Sequence, residues 1–270
     1  MDSFSTVETI DLLSNKAVVK SKLNLAKLTL LGIMAGVCIA LGYLAFVRVS
    51  GTAPKEWGSF NSFLGACLFP IGLIALTFLG GELVTGNMMV MTFGWLEKKT
   101  GLGDLASNWI LVLITNCIGG LLVALFFGHI VGLTEGDFAA KTIAVAAAKV
   151  GDSPLQAIVS GVGCNIFVCM AVFLGAMSKS FVGKLIGIWF PIMIFVVSGF
   201  QHVVANAFIL PAAIFAGGAI TWGQALANIV YVFIGNAISG ALFLAVPVYF
   251  ANRPAKVPAE ESVKNVEQVI

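Results

Sequence analysis

One histidine, His202, stands midway along a long apolar segment of this 270-residue chain. An imidazole held among apolar residues donates a hydrogen bond and exchanges a proton near neutral pH, which suits the handling of a small weak acid or its anion. His202 belongs to the run Gly199-Phe-Gln-His-Val-Val-Ala-Asn206, and a related run, Gly80-Gly-Glu-Leu-Val-Thr-Gly-Asn87, lies in an earlier apolar segment. Thr85 offers a hydroxyl in the first run as His202 offers an imidazole in the second, so the two are expected to line one polar chamber. Leu83, Phe69 and Phe195 are candidates for apolar constrictions on either side of it, acting by dewetting. The amides Asn87, Asn116, Asn165, Asn206 and Asn236 either bind solute or satisfy broken backbone, and Glu82 is expected to bond freed N–H groups or a neighbouring helix. Lys149, in a loop whose alanine-rich run Thr142–Val150 suggests a short helix, either gathers anions at a mouth or is a solvated loop lysine. His129, near the end of another apolar segment, reads as an interfacial anchor.

Catalysis is not written in these residues. The sequence has no nucleophile and base pair, carboxylate dyad, nucleotide loop or metal cluster. Cys38, Cys67, Cys117, Cys164 and Cys169 are odd in number, lie in apolar segments and lack metal-ligand spacing, so they read as packing residues. No cofactor, no metal and no nucleic acid partner is expected.

The elements that hold these groups belong in a bilayer. Hydrophobic residues make up 59% of the chain and charged residues 10%, against roughly 25% in soluble domains. The mean hydropathy is +1.01. Apolar stretches at 26–49, 59–96, 106–131, 155–177, 184–220 and 225–249 predict six transmembrane helices, each crossing needing about 20 residues. The second and fifth stretches are too long for one simple span, and the two polar runs interrupt them near the middle. Three parts follow: an amphipathic segment at 1–25, a transmembrane domain at 26–252 and a polar tail at 253–270. Within 4–22, Val7, Ile10, Leu13 and Val18 fall on one face, which predicts a helix along the inner membrane surface. The first apolar run does not read as a cleaved signal. Lys16, Lys20, Lys22, Lys27, Lys98, Lys99, Lys179, Lys184, Arg253, Lys256 and Lys264 fall on the side of the termini, against Arg48, Lys55, Lys141 and Lys149 on the other. Both termini are therefore expected in the cytoplasm.

The chain also repeats. Glu82 and Gln201 are 119 positions apart, each followed five residues later by an asparagine; Asn116-Cys-Ile-Gly119-Gly120 and Asn236-Ala-Ile-Ser239-Gly240 are 120 apart. A duplicated unit of three helices must insert its second copy from the opposite side, giving an inverted three-plus-three repeat with broken second and fifth helices. Irregular backbone at membrane depth is tolerated only against protein or a water-filled path, so the breaks mark a pathway, and freed helix N-termini favour anions. Small residues at Gly32, Gly36 and Ala40, and at Gly120, Ala124 and Gly128, predict close helix packing.

Three pieces, Gly81-Glu-Leu-Val-Thr-Gly-Asn87, Gly161-Val-Gly-Cys-Asn-Ile-Phe-Val-Cys-Met-Ala171 and Gly199-Phe-Gln-His-Val-Val-Ala-Asn206, resemble the formate/nitrite transporter family in order and placement. The resemblance covers nearly the whole chain. It implies an aquaporin-like fold, a homopentamer with one pore per protomer and residence in the inner membrane of a prokaryote. It further implies that Leu83 and Phe195 narrow the two constrictions with Phe69 flanking, that Thr85 and His202 form the central polar pair, and that Asn165 and Asn236 are pore-side amides. Lys149 matches a basic residue of the outer vestibule, and the amino-terminal segment one that rearranges beneath the pore in formate channels. Val84 and Gln201 depart from many formate and nitrite members and resemble the hydrosulfide-channel branch. The expected activity is passage of small monovalent weak-acid anions, formate, nitrite or hydrosulfide, the last slightly favoured. The alternatives are a proton-coupled formate/nitrite carrier and an aquaporin-like neutral-solute channel, although neither break carries Asn-Pro-Ala or an arginine.

Overall fold

The computed structural model describes residues 2–253; the tail expected at 253–270 lies, beyond Arg253, outside the described residues. The fold is all-helical, apart from an isolated bridge between Ser3 and Ser178 that ties the amino-terminal end to the rest of the chain.

Helix α1, Thr6–Ser21, starts at a capping box in which the Glu8 N–H donates to Ser5 Oγ and the Ser5 N–H to Glu8 Oε2, worth about 1 kcal/mol. Its buried face is Thr9, Ile10, Leu13, Ser14 and Ala17, whereas Val7 is exposed. That face is turned from the expected one because α1 packs on protein: Ile10, Leu13 and Ala17 join Met89, Met91 and Phe93 in one apolar cluster.

Among the described residues, five stretches are long and apolar enough to cross a membrane. Helix α2 is Leu25–Ser50; helices α3, Ser59–Leu68, and α4, Ile71–Leu79, make a second stretch interrupted at Phe69 and Pro70. The interruption was not expected from the hydropathy; proline brings no N–H and disturbs the turn before it. After residues 80–83 the chain re-enters helix as α5, Val84–Leu96. Helix α6, Leu102–Val123, continues through a π turn at Ala124–Ile130. Helix α7, Ala139–Gly151, follows and leads into α8, Pro154–Met177. The segment expected at 184–220 is divided into α9, Phe181–Val197, and α10, Val203–Phe215. Helix α11, Trp222–Ile238, again runs through a π turn, Ser239–Ala245, into α12, Val246–Asn252.

Close backbone contact joins α2 to α6 and α8 to α11. A Cβ on Gly36 would lie 2.2 Å from Asn116 O, and one on Gly235 2.0 Å from Ile158 O, so only glycine fits at either crossing. Gly119, not Gly120, faces α2; Gly120 faces Ala207 and Phe208 of α10. The short helices α5 and α10 are buried almost end to end. Large apolar side chains such as Leu30, Ile110, Ile114 and Leu226 are exposed, the inverse of a soluble protein and the arrangement hydrocarbon requires.

Candidate functional site

Each helix break is held by the asparagine of the following span. Val84 N–H donates to Asn116 Oδ1 at 2.9 Å, while Asn116 Nδ2 donates to the carbonyls of Gly32 and Glu82, both at 2.8 Å. In the second half Val203 N–H donates to Asn236 Oδ1 at 3.0 Å, and Asn236 Nδ2 donates to the carbonyls of Gly161 at 2.7 Å and Gln201 at 3.3 Å. One amide thus satisfies three backbone groups that lipid would leave bare. Gly80 and Gly199 begin the breaks with φ of +76° and +78°, a left-handed conformation costly for any residue with a Cβ.

A second pair of networks matches as closely and differs in charge. Asn87 Nδ2 donates to Glu82 Oε2 at 2.7 Å and to Asn108 Oδ1 at 2.9 Å; Asn206 Nδ2 donates to Gln201 Oε1 and Asn228 Oδ1, both at 2.8 Å. The first network ends on a cation, because Lys20 Nζ of α1 sits 2.7 Å from Glu82 Oε1. The second ends on an acid and a carbonyl: Gln201 Nε2 donates to Asp152 Oδ2 at 2.6 Å and to Lys149 O at 3.2 Å. Carboxylate on the break takes a lysine from outside; amide on the break takes an aspartate.

Between the breaks, Thr85 Oγ1 and His202 Nε2 lie 3.0 Å apart. His202 also caps α10, its Nδ1 accepting from the Ala205 N–H at 3.1 Å. That bond assigns the neutral tautomer, since Nδ1 is an acceptor and the proton must sit on Nε2, pointing at Thr85. The Thr85 hydroxyl, having accepted, keeps its own hydrogen to give elsewhere.

Three cavities lie near this pair, and His202, not Thr85, is among the residues that line them. A cavity of about 320 Å³ on the α7 side, outer if the termini are cytoplasmic, is lined by Lys149, Phe69, Phe195, Gln201 and His202 among others. A cavity of about 460 Å³ on the α1 side reaches Leu73, Glu82 and Leu83. Between them is a void of about 10 Å³ that shares Phe69, Phe195 and His202 with the outer cavity and Leu73 and Leu83 with the other. It holds about one water, so in this conformation the neck is shut to an ion. The Phe69 and Phe195 rings meet edge to face with centroids 5.5 Å apart, and Phe195 stacks on His202 at 5.8 Å.

Lys149 faces the outer cavity from α7. Burial pushes its ammonium down to about 8, with Cys164 and Asp152 pulling the other way, so near neutral pH it carries charge at the mouth and loses it in mild alkali.

Of the residues singled out in the sequence, the structure brings Phe69, Leu83, Phe195 and His202 to the neck, with Thr85 against His202 and Lys149 in the outer cavity. Asn165 and Asn236 line none of these spaces. Asn165 Nδ2 donates to Asn236 O at 2.7 Å and Thr85 O at 3.2 Å, tying the halves together behind the neck. His129 pairs with Glu135 at 2.5 Å and stacks on Phe215. Sequence reasoning missed Lys20, Asp152, Asn108 and Asn228. The last two had a readable signal, for Asn228 follows Asn108 by the same 120 positions that separate Asn236 from Asn116.

A helical membrane protein in which two cavities approach one another at a narrow apolar neck bearing a single histidine has the build of a channel or transporter. The formate/nitrite transporter family profile matches residues 7–250. The chain is 50% identical to "Uncharacterized transporter YrhG" of Bacillus subtilis over 92% of each chain, and 44% identical to "Formate channel BtFdhC" of Bacillus thuringiensis over 89% of this chain and 92% of that one. Among solved structures, an FNT family ion channel superposes with a TM-score of 0.85 at 24% identity, covering 92% of this chain and 100% of the other. A pentameric formate channel with formate bound gives 0.73 at 25% identity, covering 84% and 97%. The chain belongs to the formate/nitrite transporter family.

Proposed function

We propose that the protein passes small monovalent weak-acid anions, formate among them, through the neck at His202. The observation that carries this reading is the contact of Thr85 Oγ1 with His202 Nε2 beside a void joining two cavities. A bare anion entering Leu and Phe walls loses hydration that they do not replace. Lys149 concentrates anions at the outer mouth, and the Thr85 hydroxyl, polarised by the imidazole N–H, donates to the anion in the neck. A solute with an acidic proton also crosses as its neutral form, which removes most of the desolvation cost.

Formate is favoured by the 44% identical relative named as a formate channel. Hydrosulfide is the second reading, resting on Val84 and Gln201; Gln201 lines the outer cavity. The proposed setting is a homopentamer, as in the formate-bound neighbour, in a prokaryotic inner membrane, with α1 on the cytoplasmic side by the lysine distribution. Uptake of formate, nitrite and hydrosulfide into proteoliposomes, with chloride and glycerol as controls, tests it. Weak-acid flux without chloride or glycerol flux is the expected result; glycerol flux alone overturns the reading. Proton uptake stoichiometric with formate against a gradient makes the protein a coupled carrier.

A further inference from the structure

The α1-side cavity is larger than a formate-sized solute needs and carries charge that the passage does not use. Lys16 and Lys20 of α1 and Lys184 in the first turn of α9 all line it. Glu82 is the acid in that lining, and it is taken by Lys20 at 2.7 Å. Lys16 and Lys184 form no ion pair among the described residues. Their two positive charges therefore face a space of about 460 Å³ uncompensated. All three cations line the one cavity, and burial, then repulsion from Lys20 and Lys184, lowers the Lys16 ammonium from its ordinary value. A monovalent anion leaves one of the two free charges unmatched, whereas a dianion matches both. The floor of the cavity is Leu73 and Leu83, beyond which the void of about 10 Å³ admits nothing of that size or charge.

We propose that this cavity is a binding site for small dianions, dicarboxylates or hydrogen phosphate, which seat on Lys16 and Lys184 and block the passage from the α1 side. The proposal rests on the anion-passage reading above, and its test separates the two. Isothermal titration of the purified, detergent-solubilised protein with succinate and with inorganic phosphate at pH 7.5 and low salt measures binding without any flux. Saturable binding of either dianion is expected, at least tenfold weaker in Lys16→Gln/Lys184→Gln and unaltered in Lys22→Gln, an exposed lysine outside the cavity. Binding of one dianion alone names its class. The melting temperature and elution volume of each variant show whether it is folded, and the single variants Lys16→Gln and Lys184→Gln serve if the double variant is not. In planar bilayers, block of formate current by succinate or phosphate added to the α1 side, and not to the Lys149 side, completes the case. No saturable binding, or binding untouched by loss of either lysine, or equal block from both sides, overturns it. Binding without any anion current upholds the site and overturns the passage reading.

Discussion

Leu83 and His202 occupy the same position in the two halves, each the last extended residue before its short helix, at φ/ψ of −109°/122° and −110°/121°. One presents a hydrocarbon to the neck and the other an imidazole whose Nδ1 caps its helix and whose Nε2 meets Thr85. The repeat thus supplies the backbone twice, and the side chains break its symmetry at the neck.

That asymmetry predicts separable roles for the polar pair. Thr85→Val removes the hydroxyl and leaves His202 Nε2–H unpaired; loss of a hydrogen bond to a charged group costs about 1.5–3 kcal/mol, so formate flux is expected to fall roughly 10- to 100-fold. Thr85→Ser should recover most of it. His202→Asn should alter the pH dependence of flux in stopped-flow uptake, and an unchanged profile would remove His202 from proton handling.

Lys149 is expected to set an alkaline limit on flux. Its ammonium is held down to about 8 by burial, so the positive charge at the outer mouth is present below that pH and is lost as pH rises through it. Formate stays fully ionised throughout. Inward formate flux is expected to decline between pH 7 and 9 in the parent and to be lower and flat in Lys149→Gln; a parallel decline in both would assign the effect to another group.

The asparagines that hold the breaks are expected to act on stability. Asn116→Leu strips partners from the Val84 N–H and from the carbonyls of Gly32 and Glu82; each unsatisfied buried group costs about 1–3 kcal/mol. A fall of several degrees in Tm, roughly 2–4 °C per kcal/mol at this size, should appear in differential scanning fluorimetry. Asn236→Leu, which breaks the matching bonds, should do the same. A Tm unaffected by both substitutions would deny them this role.

Phe195 sets size. Phe195→Ala removes the ring between Phe69 and His202 and costs about 3–5 kcal/mol if the neck does not collapse. Acetate uptake relative to formate is expected to rise severalfold. An unaltered ratio would place the narrowest point elsewhere.

Much of this architecture was legible in the chain. Apolar run length announced the helices, because hydrocarbon thickness fixes how many residues a crossing takes. The paired polar runs announced both breaks, and the 120-residue offset announced Asn116 and Asn236. Two features of the helices were not legible: the interruption at Pro70, and the π turns at Ala124–Ile130 and Ser239–Ala245, which hydropathy passes over as continuous helix.

What the sequence by itself determined was local: which segments enter the membrane, where their helices stop, and which polar side chains stand at the stops. Tertiary structure alone decided who meets whom. Thr85 and His202 are 117 positions apart, Lys20 and Glu82 62, Gln201 and Asp152 49, and no spacing rule joins such pairs. They meet because bare glycine crossings let α2 close on α6 and α8 on α11, and because a buried polar group is stable only beside a partner. Composition put the groups at depth; packing chose the partners.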